Sequence, residues 1–111
     1  MKAFEEGDIL VGATLLNNPD DDHAGPGRII QFDSDLNLKG TLWTDTTTHL
    51  VGGLQFDSNN DLWAFDSQHC STIKVNATGK QIDQAELGDR TIFNAHYRGN
   101  GEIVLGDVLT D

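Results

Sequence analysis

Short stretches rich in β-branched and aromatic residues recur along the chain, each bounded by Asp, Asn, Gly or Ser. This spacing predicts strands, and no window carries the i, i+3, i+4 apolar stripe of an amphipathic helix. The clearest case is residues 54–66, in which two alternating stretches flank the turn Ser58-Asn59-Asn60-Asp61. Asn and Asp in such a turn tolerate positive φ. We therefore predict an all-β chain.

Two further strands follow this hairpin after a polar loop. Residues 72–76 are predicted to be the third strand, and Ala77-Thr78-Gly79-Lys80 turns the chain into the fourth, residues 81–87. Four strands in series joined by short turns predict a four-stranded antiparallel meander.

The meander repeats along the chain. A shift of about 41 residues places residues 59–66 on residues 100–107, so that turn, strand and closing aspartate coincide. Residues 7–12 match residues 60–65, and residues 27–33 match residues 71–76. Four strands every 40 to 45 residues indicate a β-propeller blade.

The repeats divide the chain into three groups of strands within one domain, residues 1–111. With strands lettered a to d outward from the propeller axis, residues 8–45 supply b, c and d. Residues 50–87 supply a full blade, and residues 91–108 supply a and b. The prediction is a partial propeller of about two blades plus flanking strands.

Residues 51–66 resemble the blade motif of NHL-type propellers and of the related gluconolactonases and streptogramin lyases. The resemblance covers nearly the whole chain, but its motif specifies fold better than chemistry. It implies a ring of roughly five to eight blades. Because two blades alone would expose apolar faces and strand edges, the ring must be completed. Either further blades of a longer chain or identical copies related by cyclic symmetry would do so.

The net charge argues against some classes of partner, and the cysteine content excludes some kinds of site. Eighteen Asp and Glu against seven Lys and Arg give a net charge of -11, which disfavours nucleic acid and membrane surfaces. The single Cys70 excludes an internal disulfide and a cysteine-based zinc site, and we interpret it as an inert thiol. The first residues show no signal peptide, so we expect a cytoplasmic protein, or an extracellular one if the chain is a fragment.

The long loop of residues 17–27 is the first candidate site. Asp20, Asp21, Asp22 and His23 offer carboxylate oxygens and an imidazole, a candidate site for calcium or another divalent cation. A solvated loop is the alternative, since consecutive aspartates point in different directions. In residues 33–37, oxygen-bearing side chains alternate as at the start of an EF-hand, but the later Gly and Glu are missing, so we predict a turn.

The second candidate site lies near the predicted a strands, which line a propeller's channel. His49, Asn94 and His96 are its candidate ligand-binding residues. The resemblance implies a divalent cation held at the channel by His, Glu, Asn or Asp of several blades. Gly52-Gly53 stands where the lactonase pattern has Asn-Gly, and Asn94 matches it only in part. A structural or solvent-facing role for each histidine is the alternative.

The two tryptophans are assigned different roles. Trp63 is predicted to be core, between blades, whereas Trp43 near the end of a d strand is predicted at the surface, where it would suit stacking on a sugar. The sequence has neither a GxGxxG or P-loop motif nor a GxSxG elbow, which removes nucleotide and serine-hydrolase functions.

These observations predict a propeller that binds or scaffolds, completed by self-association or by further blades, with a protein or carbohydrate ligand. The first alternative is part of a metal-dependent lyase or lactonase. The second is a sugar-binding oligomer that uses Trp43.

Overall fold

The computed structural model describes residues 1–14, 26–44, 51–66, 71–86, 92–98 and 102–107, some of them by their backbone alone. These residues form nine strands and no helix, which confirms the all-β prediction. The strands are β1 (Ile9–Thr14), β2 (Gly27–Phe32), β3 (Leu38–Thr44), β4 (Val51–Phe56), β5 (Leu62–Asp66), β6 (Ser71–Val75), β7 (Gln81–Glu86), β8 (Ile92–Tyr97) and β9 (Ile103–Asp107).

Every pair of neighbouring strands is antiparallel and follows chain order. The first sheet is β1-β2-β3, the second is β4-β5-β6-β7, and the third is β8-β9. The second sheet is the predicted meander, and its first two strands form the predicted hairpin of residues 54–66.

The pairing between β4 and β5 recurs residue for residue between β8 and β9. Val51 pairs with Asp66 and Phe56 with Leu62; after the 41-residue shift, Ile92 pairs with Asp107 and Tyr97 with Ile103. Each pair of strands carries a bulge at the same place, between Val51 and Gly53 and between Ile92 and Asn94.

The first sheet follows the same register as the second. Ile9 faces Phe32 as Leu62 faces Val75, and Val11 faces Ile30 as Ala64 faces Ile73. The bulge between Gln31 and Phe32 recurs between Lys74 and Val75. β1, β2 and β3 therefore correspond to β5, β6 and β7.

Three of the turns share one geometry, in which the backbone of the first residue is hydrogen-bonded to the backbone of the fifth. The backbone N–H of Asp33, Asp57 and Asn76 donates to the carbonyl four residues later at 2.8–2.9 Å, and its carbonyl accepts from the residue three ahead. That fourth residue has positive φ, namely Leu36 (67°), Asn60 (60°) or Gly79 (84°). This is a type I turn followed by a left-handed residue, the common three-residue hairpin loop.

The aspartate or asparagine that opens each turn explains why it forms there. The Oδ1 atoms of Asp33, Asp57 and Asn76 each accept N–H bonds from the residues two and four ahead, at 2.9–3.1 Å. The side chain thus satisfies donors that the turn would leave unpaired. Residues 33–37 are accordingly a turn, as predicted.

The core lies between the first two sheets. Ile29, Leu62, Ala64, Ile73 and Val75 are at most 1% exposed. Half-buried residues surround them: Met1, Phe4, Leu10, Leu42, Leu54 and Phe56. The register places one face of each sheet in this core, because facing residues of paired strands share a face.

Residues 1–8 cross the first two sheets at the end that holds the three turns. The N–H of Phe4 donates to the carbonyl of Ala77 at 2.9 Å, and that of Lys2 donates to Oε1 of Gln31 at 2.9 Å. A Cβ on Gly79 would stand 2.6 Å from the carbonyl oxygen of Lys2. This N-terminal segment therefore joins the two sheets through main-chain contacts.

Candidate functional site

The residues predicted to bind a ligand are only partly described. Asp20, Asp21, Asp22, His23 and His49 lie outside the described residues. Asn94 and His96 both lie on β8, two residues apart. The side chain of His96 is exposed. These two residues alone of the predicted channel set are placed together.

Trp43 is 44% exposed on β3, and its prediction as a surface residue is confirmed. The guanidinium of Arg28 lies 5.3 Å from the centre of the Trp43 ring. The two residues face each other across β2 and β3. This cation–π contact places a positive charge against the indole, so a ligand that stacks here would meet both groups.

The prediction that Trp63 belongs to the core is wrong, because this side chain is only half-buried. It lies on the face opposite Leu62 and Ala64. Its Nε1 donates to Oδ2 of Asp57 at 2.9 Å, and the Lys74 ammonium lies 5.1 Å from its ring centre. The half-buried indole thus combines packing with a hydrogen bond from its N–H and a cation–π contact on its ring.

A second polar cluster, which the sequence analysis did not anticipate, surrounds Asp8. The Asp8 carboxylate accepts bonds from Nζ of Lys39 at 2.7 and 2.9 Å and from Nε2 of Gln31 at 2.9 Å. The side chain of Asp8 is 6% exposed and that of Gln31 is buried. The bond from Lys39 is the main reason that the pKa of Asp8 lies below its ordinary value.

The internal repeat of the sequence could have predicted part of this cluster around Asp8. Asp8 and Gln31 stand where Asp61 and Lys74 stand in the second sheet, and the carboxylate of Asp61 lies 3.3 Å from the Lys74 ammonium. Aligning the repeats at the turn would therefore have placed Asp8 against Gln31. Lys39 has no such counterpart, since Ile82 occupies its position.

A cleft of about 430 Å³ opens beside this cluster, between the N-terminal segment and the turns of the second sheet. Phe4 and Phe56 meet edge to face in its wall, with their ring centres 5.1 Å apart. Its lining residues are Phe4, Glu5, Glu6, Gly7, Asp8, Phe56, Asn60 and Ala77. The lining of the cleft therefore combines aromatic with acidic side chains.

The described residues hold no group of three or more His, Cys, Asp or Glu side chains arranged to bind a metal ion. Over the same residues, no helix is long and apolar enough to cross a membrane. No protein-family model and no curated protein matches this sequence.

Proposed function

We propose that this chain is part of a β-propeller that serves as a binding or scaffolding module. The observation that carries the proposal is the strand register of the second sheet, bulges included, which the first sheet repeats over three strands and the third sheet over two. Four-stranded antiparallel meanders that recur with one register are the units from which propellers are built. Other blades, in this chain's copies or in a longer chain, would complete the ring.

The contact surface in this proposal combines loops and strand faces. The loop of residues 17–27 and β8, the strand predicted to line the channel and to carry Asn94 and His96, are its proposed ligand contacts. Exposed side chains on a rigid sheet scaffold suit recognition because the scaffold fixes their spacing. The acidic surface favours a cationic or neutral partner over a polyanion.

Calorimetric titration with calcium separates this function from the enzymatic alternative. The wild type is compared with the double variant His49→Ala/His96→Ala, with far-ultraviolet circular dichroism as the folding control. A scaffold predicts that the two proteins give the same titration. Saturable binding that is lost only in the double variant, with a β spectrum retained, would favour a metal-dependent lyase or lactonase instead.

Exposure of Trp43 supports sugar binding as a second candidate function. Its test is glycan-array binding by the wild type and by Trp43→Ala. Binding that disappears in the variant supports the sugar-binding oligomer, whereas equal binding removes its basis. A matched control is Leu38→Ala, which changes another exposed apolar residue of the same strand.

A further inference from the structure

The first sheet carries an apolar face that is open to solvent. Nine facing positions of β1, β2 and β3 form it, and we name this set the open face: Ile9, Val11, Ala13, Arg28, Ile30, Phe32, Leu38, Thr41 and Trp43. Ile9 and Val11 are each 41% exposed, and Leu38 is 65% exposed. Continuous apolar sheet surface of this kind normally marks an interaction site.

The internal repeat shows what covers such a face. The counterparts of Ile9, Val11 and Ile30 in the second sheet are Leu62, Ala64 and Ile73. All three are at most 1% exposed. They are covered by the other face of the first sheet, through Leu10, Ile29 and Leu42. The same face is thus covered in one repeat and open in the next.

The third sheet continues this order on the far side of the second. β8 packs against β4 and β5, and Gly53, Phe65 and Thr72 on that side of the second sheet are buried. The third sheet therefore lies on the side of the second sheet opposite the first, so that the three sheets form one series. Among the described strands, this series leaves one face without a partner sheet at each end.

The unmatched face at the other end belongs to β8 and β9. Its register positions hold Asn94, His96, Val104 and Gly106. Val104 and Gly106 correspond to Trp63 and Phe65, and through them to Leu10 and Gly12 of the covering face. The chain therefore carries one half of the contact that joins its first two sheets and, on β9, the positions of the other half that match Leu10 and Gly12.

Charge distribution supports contact between two copies. The chain has 18 acidic residues and a net charge of -11, which opposes self-association over most of its surface. The open face holds no carboxylate, and Arg28 is its one charged residue. The four positions on β8 and β9 also hold no carboxylate. Both faces thus avoid the repulsion that the rest of the surface would cause.

We propose that the open face binds the β8–β9 face of a second copy of this chain, head to tail. The proposal rests on the proposed propeller architecture and names its partner. A head-to-tail contact of this kind forms a closed ring if the rotation between copies closes, and an open series if it does not.

Light scattering coupled to size exclusion tests the proposal. The wild type should show a mass above the 12.1 kDa of one chain. Val11→Asp places a carboxylate in the contact and should raise the dissociation constant by about 100-fold or more, leaving a 12.1 kDa species. The control Ile82→Asp changes a residue that is 48% exposed but lies on β7, outside the open face, and should keep the wild-type mass.

Circular dichroism on the same samples keeps the two proposals distinguishable. A β spectrum in a wild type that stays at 12.1 kDa would overturn the contact between copies while leaving the propeller architecture standing. Equal loss of mass in Val11→Asp and Ile82→Asp would also overturn it. A wild type without β structure would contradict the proposed function itself. In case Val11→Asp does not fold, Ile9→Lys serves as the second variant on the same face.

Discussion

Asp57 performs two tasks with its two carboxylate oxygens. Oδ1 accepts the turn N–H groups of Asn59 and Asp61, and Oδ2 accepts the indole N–H of Trp63. In its own turn Asn76 performs the first task but not the second, and its Oδ1 also accepts from the Thr78 hydroxyl at 2.6 Å. The comparison separates a general requirement of the turn from a specific bond to Trp63.

Asp57→Asn should therefore keep the turn and lose the bond to Trp63. The amide oxygen still accepts the turn N–H groups, but its NH₂ group cannot accept from the indole. We expect the free energy of unfolding to fall by about 1 kcal/mol, the usual net value of one such hydrogen bond. Urea unfolding followed by tryptophan fluorescence measures it. Asp33→Asn is the control, because Oδ2 of Asp33 accepts only from the exposed Asn37, and an equal loss there would contradict the role of Trp63.

Acid should destabilise the fold through three aspartates. The pKa of Asp8 is lowered chiefly by Lys39, and that of Asp33 chiefly by the backbone N–H of Asn37. Burial acts to raise the pKa of Asp57, but hydrogen bonds led by the one from Trp63 hold it below the ordinary value. A carboxyl whose pKa is lower in the folded state stabilises that state at pH values above its unfolded pKa.

The expected result is a melting temperature that is steady above about pH 5 and falls as the pH drops through 3.8, the ordinary Asp value, and below. Circular dichroism melts between pH 7 and pH 2.5 measure it. Asp8→Asn should flatten the acid side of the profile. A melting temperature that rises on acidification would show that repulsion among the many carboxylates outweighs these three bonds.

At the scale of the element, the three turns show which residue tolerates the left-handed position. Gly79 and Asn60 suit positive φ, whereas Leu36 is a residue that seldom adopts it. Leu36 is 67% exposed, so its side chain loses little by being there. The turn of residues 33–37 thus contains local strain that its Asp33 bonds offset.

Leu36→Gly should relieve this strain and raise the free energy of unfolding by about 0.5–1 kcal/mol. Leu38→Gly is the matched control, since Leu38 is similarly exposed but lies in β3, where glycine destabilises. Chemical denaturation of both variants gives the values. Destabilisation in both would mean that Leu36 contributes more through its side chain than its backbone costs.

At the scale of the whole molecule, the N-terminal segment determines how the first two sheets meet. It contacts the second sheet at Ala77 and Gly79 and the first at Gln31 and Gly40. Main-chain atoms make most of these contacts, so they depend on the absence of side chains at the two glycines. The segment therefore acts as a spacer between sheets.

Gly79→Ala should destabilise the protein more than Gly7→Ala. Both glycines have positive φ, which costs about 1–2 kcal/mol for any other residue. A Cβ at Gly79 would also stand 2.6 Å from the carbonyl oxygen of Lys2, whereas one at Gly7 would meet only the side chain of Ser34 at 3.2 Å. Unfolding of both variants, with and without residues 1–2, measures the excess. An excess that persists after the truncation would contradict the clash.

The parts of the fold that depend on local pattern could be predicted from the sequence. The turns at Asp57 and Asn76 follow from side chains that bond to their own backbone, and the strand alternation follows from burial of one face. The contact of Lys2 with Gln31 spans 29 residues and depends on how two sheets pack, which no local pattern records. Trp63 was assigned to the core because an aromatic residue in a strand fits the pattern of a buried position. The pattern does not show that Asp57 accepts a hydrogen bond from its indole N–H.

The identical register of the sheets has a consequence for insertions and deletions. Side chains alternate between faces, so removing one residue from residues 57–61 would exchange the faces of β5, bringing Trp63 towards the position of Leu62. The longer connection between β1 and β2 adds residues relative to that between β5 and β6, yet the pairing on either side is unchanged. We therefore expect this connection to tolerate changes in length. The five-residue turns should not tolerate them, because their length determines which face of the sheet each side chain of the next strand occupies.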